Sequence, residues 1–193
     1  MSVKKNLRYS FILAALFLFA GTAAAQGPVV DNNTTTSNLE MTATVQTAVQ
    51  LNISTGTGGA TVSGSNSTGL FSISFGNVNG LGVGNTQNAN ITVVADGSGA
   101  LYKTPINLTP VYSGFASETA DITVEAGVSG DEALAREGDS SISSSSTVSS
   151  TPATVISNAA SDSNNTRYVG FYIPKGESAG TKTATLIYTI TVQ

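Results

Sequence analysis

NLEMTATVQTAVQLNI, residues 38–53, carries an apolar or small side chain at every odd position from Leu39 through Met41, Ala43, Val45, Val49 and Leu51 to Ile53, with Thr47 alone breaking the series. Alternation of period two marks a strand with one buried face. The run covers 15 residues from 39 to 53, whereas an ordinary strand has about 5 to 6. It reads either as one long first strand that bends from one sheet of a sandwich to the other, or as two strands in tandem divided at Thr47.

Further alternating segments lie at LFSISFGNV (70–78), ANITVVA (89–95), TPINLTPVY (104–112), ADITVEA (120–126), TRYVGFYI (166–173) and TATLIYTITV (183–192). Gly, Pro, Asp or Ser clusters separate them, a pattern that predicts one all-β domain over residues 39–193, an antiparallel β-sandwich rather than alternating α and β units. Pro105 and Pro110 place the strand between them at an edge or a bend. Residues 54–69 read as a long loop or a weak edge hairpin. SGDEALAREG (129–138) predicts one short helix in a connection, with Ser129 and Glu132 at capping-box spacing and Gly138 as its stop. The Ser-rich residues 139–153 have little to bury and read as an exposed mobile loop.

The first 25 residues have the three parts of a secretory signal: Lys4, Lys5 and Arg8, then the apolar FILAALFLFA, then Ala23, Ala24 and Ala25. A secreted chain starting at Gln26 with a polar leader over residues 26–38 is expected. Loss of Lys4, Lys5 and Arg8 would leave five basic residues against twelve acidic ones, a net charge of −7. That balance disfavours nucleic acid and anionic membranes, and no later segment is long and apolar enough to insert in a membrane as a helix. Cysteine is absent, so the fold holds by its core or by assembly, without disulfides or thiolate metal sites.

No motif points to catalysis. Gly176 to Gly180, GESAG, matches the hydrolase elbow pattern, but Ser178 would need a base and the chain contains no histidine. GLGVG (80–84) lacks the third glycine and the following helix of a phosphate loop. Asp121 and Glu125, four apart on a strand, would stand about 13 Å apart. Asp131, Glu132, Glu137 and Asp139 form the densest acidic cluster, but their order differs from an EF-hand loop and they read as a solvated surface. Neither an enzyme nor a cofactor or metal site is expected.

The last segment, AGTKTATLIYTITVQ, puts Ala184, Leu186, Tyr188, Ile190 and Val192 on one face and carries no side-chain charge beyond Lys182. Left on an open edge, such a strand would template another, so it must be paired within the chain or between chains. Together with NLEMTATVQTAVQLNI and FSISFGNV, this ending resembles the secreted fibre subunits of the chaperone-usher pilin and spore coat protein U type. The resemblance covers both ends and one early strand. It implies an incomplete immunoglobulin-like sandwich in which an N-terminal extension of one subunit supplies the missing strand of the next.

On that resemblance Leu39, Met41, Ala43 and Val45 match the donor side chains. Gly180 matches the glycine that opens the last strand, and Ala184, Leu186, Tyr188, Ile190 and Val192 form the acceptor side. The implied partners are other copies of the chain, a periplasmic chaperone and an outer-membrane usher. Two departures stand out: the disulfide found in many such subunits is absent, and Val192 occupies the penultimate position where an aromatic is common. The expected function is a structural subunit of a fibre, pilus or surface coat. The alternative is a monomeric secreted binding module or adhesin using the loops at residues 81–90 and 139–153.

Overall fold

A computed structural model describes residues 39–83, 88–116 and 119–193; the expected signal peptide (1–25) and leader (26–38) lie outside them. Ten strands occur among the described residues: β1 (Ala48–Thr55), β2 (Val62–Ser65), β3 (Leu70–Ile73), β4 (Thr92–Ala95), β5 (Gly99–Ser113), β6 (Ala120–Ala126), β7 (Ala135–Gly138), β8 (Ala153–Ala159), β9 (Asn165–Pro174) and β10 (Leu186–Val192). The chain divides into two units, Met1–Ala43 and Thr44–Gln193. In the first, the described residues 39–43 are exposed and form no strand. The second holds all ten of these strands.

All pairing is antiparallel. One sheet runs β1-β5-β9-β7, with β4 continuing the β1 side of β5; a second runs β10-β6-β8; β2 and β3 form a separate hairpin. This is the expected all-β architecture. Ile106 and Leu108 of β5 and Val169 of β9 meet Ile122 of β6 in a common core, joined by Leu51, Ile53, Leu186 and Tyr188. Burying each large aliphatic side chain contributes about 1.5 to 3 kcal/mol.

The central strand is β5, which overturns its expected place at an edge. Its 15 residues pair on one side with β4 and β1 and on the other with β9. Proline is tolerated because neither ring replaces a donor that the sheet needs. Pro105 accepts the Gly56 N–H at 3.2 Å, so its own nitrogen faces the same side, in the gap between the β4 partner at Lys103 and the first β1 partner at Ile106. Pro110 accepts the Asp162 N–H at 2.7 Å, past the last β9 partner at Leu108.

The expected short helix at residues 129–138 shrinks to a single 3-10 turn, Glu132–Leu134, and Ala135–Gly138 becomes β7. Packing outweighs local propensity here, because Leu134 and Ala135 are buried and residues 135–138 pair with β9. The Ser-rich stretch also departs from expectation. Ile142, 4% exposed, packs on Leu101 and Tyr172 at the outer face of the first sheet. Arg136 donates from Nε to Ser144 O at 2.6 Å and from Nη1 to Ala133 O and Ala135 O at 2.7 Å, and its guanidinium lies over the Tyr172 ring. Burial lowers the Arg136 pKa, with the Tyr172 hydroxyl acting the other way. One isoleucine and one buried cation thus anchor the loop.

The first and last strands meet at one pole of the domain. Ala48 of β1 stands opposite Ser113 at the end of β5, and Val192 of β10 opposite Ala120 at the start of β6. Residues 114–119 join β5 to β6, so the start of β1 and the end of β10 share that pole. The two strands therefore run antiparallel to each other.

Glu132 ties the start of the last strand to this scaffold. Partial desolvation works against its charge, but the backbone N–H groups of Gly130, Ser129 and Thr185 outweigh it and hold its pKa at about 2 against an ordinary 4.5. Asp131 accepts the Thr183 N–H at 2.8 Å beside it. A depressed carboxylate pKa stabilises fully above 4.5, and the contribution is lost as pH falls toward about 2. Glu132→Gln is accordingly expected to be less stable than the wild type near neutral pH, with the difference closing by about pH 2; urea denaturation at the two pH values checks it.

Candidate functional site

Strand edges leave backbone N–H and C=O groups that must be satisfied somewhere. Among the described residues, three of the edges are blunted. β4 has only 4 residues. The outer side of β7 is covered by the Ser-rich loop, through the Arg136–Thr147 bridge and the bond from Glu137 N to Ser146 O. β8 is bulged against β6 and holds Asn158 at a positive φ of 55°, which twists it away from any flat partner.

Two long edges differ from these. Among the described residues β1 is paired only with β5, and β10 only with β6. Between them lies a groove of about 820 Å³ within the second unit, lined by Val49, Leu51 and Ile53 of β1, the hairpin residues Leu70, Phe71 and Ile73, and Leu186 and Tyr188 of β10. Phe75 supports the hairpin wall by stacking edge-on against Phe171, centroids 5.3 Å apart. Val49, Leu70 and Ile187 are apolar yet exposed, Leu70 at 74%. A core that should close here is open.

Along the last segment Ala184, Leu186, Tyr188, Ile190 and Val192 are half-buried and the residues between them exposed; of these five, Ala184, Leu186 and Tyr188 line the groove, and Ile190 and Val192 lie outside it. Ala184 lines the groove ahead of β10, where Thr183 and Thr185 are bonded to residues 127–132. Gly180 is exposed at φ 144°, six residues before the β10 ladder begins, and does not line the groove. Leu39, Met41 and Val45 are exposed at 84–86%, and Ala43 is exposed as well. β1 begins at Ala48, one residue past Thr47.

Sequence reading missed the hairpin wall as part of the site, although the alternation of Phe71, Ile73 and Phe75 was visible. It also missed a buried ion pair beside Tyr188. Arg167 donates from Nε and Nη2 to the two oxygens of Glu137 at 2.7 and 3.0 Å, with the Glu137 side chain 4% exposed. The bidentate bond to Glu137 raises the Arg167 pKa, against the desolvation that opposes it. Next to the pair, the Tyr188 hydroxyl is buried with no hydrogen-bond partner among the described residues. Desolvation first, then the Glu137 charge, pushes its pKa well above 10.0. These partners come from β7, β9 and β10, and only the folded register brings them together.

The acidic residues 131–139 do not form one cluster. Glu137 pairs inward with Arg167, Asp131 and Glu132 hold residues 183–185, and Asp139 accepts from Ser141 within its own turn. Ser178 lies beside Glu177 and Lys182 on the surface. Comparison with protein-family models, with curated proteins and with solved structures yields no match.

Removing a buried donor that has no partner costs nothing in hydrogen bonding. Tyr188→Phe is expected to leave stability unchanged or to raise it by up to about 1 kcal/mol, read from thermal unfolding.

Proposed function

We propose that this chain is a secreted structural subunit of an extracellular fibre, pilus or surface coat, in which residues 39–45 of one copy fill the groove between β1 and β10 of the next. The observation that carries the reading is the pair of open edges facing each other across an apolar groove, in a chain that also carries an exposed alternating segment. Residues 39–45 number seven, the length of β10. Inserted there, the segment would bond to two edges at once, the recurrent mode of strand addition. Burial of Leu39, Met41 and Val45 would contribute about 5 to 9 kcal/mol before the cost of association.

Strand order supports the same reading. In an immunoglobulin-type sandwich, strands A, B, E and D form one sheet and C, F and G the other. Lettering β1 as A, β5 as B, β6 as C, β7 as D, β9 as E and β10 as F matches the order of the first sheet, with β8 an added strand beside C. On this lettering G would lie beside β10, on the side of the groove.

Direction decides whether such contacts grow. Because β1 and β10 are antiparallel, an inserted strand is parallel to one and antiparallel to the other. If it runs parallel to β10, the donor body docks at the pole where the acceptor's β1 begins, so the two copies can exchange segments and close as a pair. If it runs antiparallel to β10, the donor body docks at the opposite pole, the contact is head to tail, and it repeats without closing. A fibre therefore requires the second orientation. Before assembly, a periplasmic chaperone could occupy the same edges and an outer-membrane usher could order the exchange. The loop-borne binding alternative loses ground because Ile142 and Arg136 tie down residues 139–147.

Deleting residues 26–46 is expected to leave a folded domain that forms no polymer, and a peptide of residues 38–46 added in trans should raise its melting temperature. Electron microscopy and light scattering read the first outcome and thermal unfolding the second. Fibres persisting in the truncated chain would overturn the reading.

A further inference from the structure

The fibre reading leaves a competitor inside the molecule. Residues 39–45 end two residues before β1, which is itself a wall of the groove, so a tight turn at Gln46 and Thr47 would fold them back onto the free edge of their own β1. We infer that Gly114 is a positioning residue that blocks this reversal by keeping Gln46 and Thr47 extended, which leaves the groove for a second copy. The identity of the groove's occupant rests on the fibre reading.

Gly114 follows β5 directly, at φ +78°. A Cβ built on it would stand 2.9 Å from Gln46 O, closer than real side chains approach, and 3.1 Å from Thr47 Cα, a tight contact. Thr47 thus lies across from Gly114, one step beyond the register that pairs Ala48 with Ser113. Residues 44–47 contain neither turn nor bend. On the far side, Phe115 stacks edge-on against Tyr112 with centroids 6.5 Å apart, which limits how far residue 114 could shift to admit a side chain. The bare Cα forms a slot that keeps Gln46 and Thr47 extended along the end of β5.

Local chemistry acts in the same direction. A two-residue hairpin turn favours Asn-Gly, since both central residues take a positive φ. Gln46 and the β-branched Thr47 are poor choices for it. Slot and sequence together disfavour self-closure, and only the slot depends on tertiary structure.

Two variants of the chain from residue 26 onward test the role. Gly114→Asn keeps a residue that tolerates positive φ but adds the obstructing Cβ. Gly114→Ala adds the same Cβ without the amide, so it serves should the first variant fail to fold. Hydrogen exchange of residues 39–45 is read in the dilute monomer, and polymer yield by light scattering. The wild-type monomer should leave these residues unprotected; each variant should slow their exchange and lower polymer yield, both by about tenfold. Unprotected residues 39–45 in the variants, with or without loss of polymer, would overturn the role of Gly114. If the wild type never polymerises while the variants protect the segment, the fibre proposal fails and the role of Gly114 stands. If the wild type polymerises and the variants match it, the reverse holds.

Discussion

A sheet has to end somewhere, and the hydrogen-bonding groups along its last strand must find partners. In this chain the constraint is met in different ways at different edges. The loop after β7 bonds back onto it, β8 is bulged, and β4 is short. β1 and β10 are long and face each other across an apolar groove. The core residues Leu51, Ile53, Leu186 and Tyr188 sit at the margin of that groove, so its filling bears on stability as well as on assembly.

The interior on the other side of the first sheet is closed by unusual means. With few charged residues and no cysteine, the chain covers the outer face of β5 and β9 with a serine-rich segment that has little apolar surface of its own. Ile142 supplies the hydrophobic contact, and Arg136 supplies three hydrogen bonds to carbonyls and a cation to lie over the Tyr172 ring. A buried guanidinium without a carboxylate partner is costly unless its donors are met. Here one of the carbonyls it satisfies, Ser144 O, belongs to the loop and the other two, Ala133 O and Ala135 O, precede it, so the charge ties the loop back to the start of β7. The Glu137–Arg167 pair does related work between β7 and β9, beside a tyrosine hydroxyl that has no partner among the described residues.

How much of this was legible beforehand varied with the range of the interaction involved. The alternation in residues 70–75, 120–126, 166–173 and 183–192 depends only on neighbours two apart, and these segments do form strands or continue them. Pro105 and Pro110 misled because proline argues against a central strand only if its nitrogen faces a partner, and which way it faces follows from the register with β1, β4 and β9. The helix signal at residues 129–138 was local and real in part. Glu132 does bond back to the Ser129 N–H, but pairing of Ala135 and Arg136 with β9 overrode the rest.

By itself the sequence determined the all-β class, the length of the first alternating run and its interruption at Thr47, because side-chain period is a property of the chain alone. Tertiary structure decided that β1 starts at Ala48, that β5 is central, that two edges remain open, and that Gly114 lies against Gln46 and Thr47. Each of these is a relation between residues far apart in sequence, set by which strand lies beside which. No period along the chain encodes that adjacency; it follows from burying one shared core with the fewest backbone groups left unpaired.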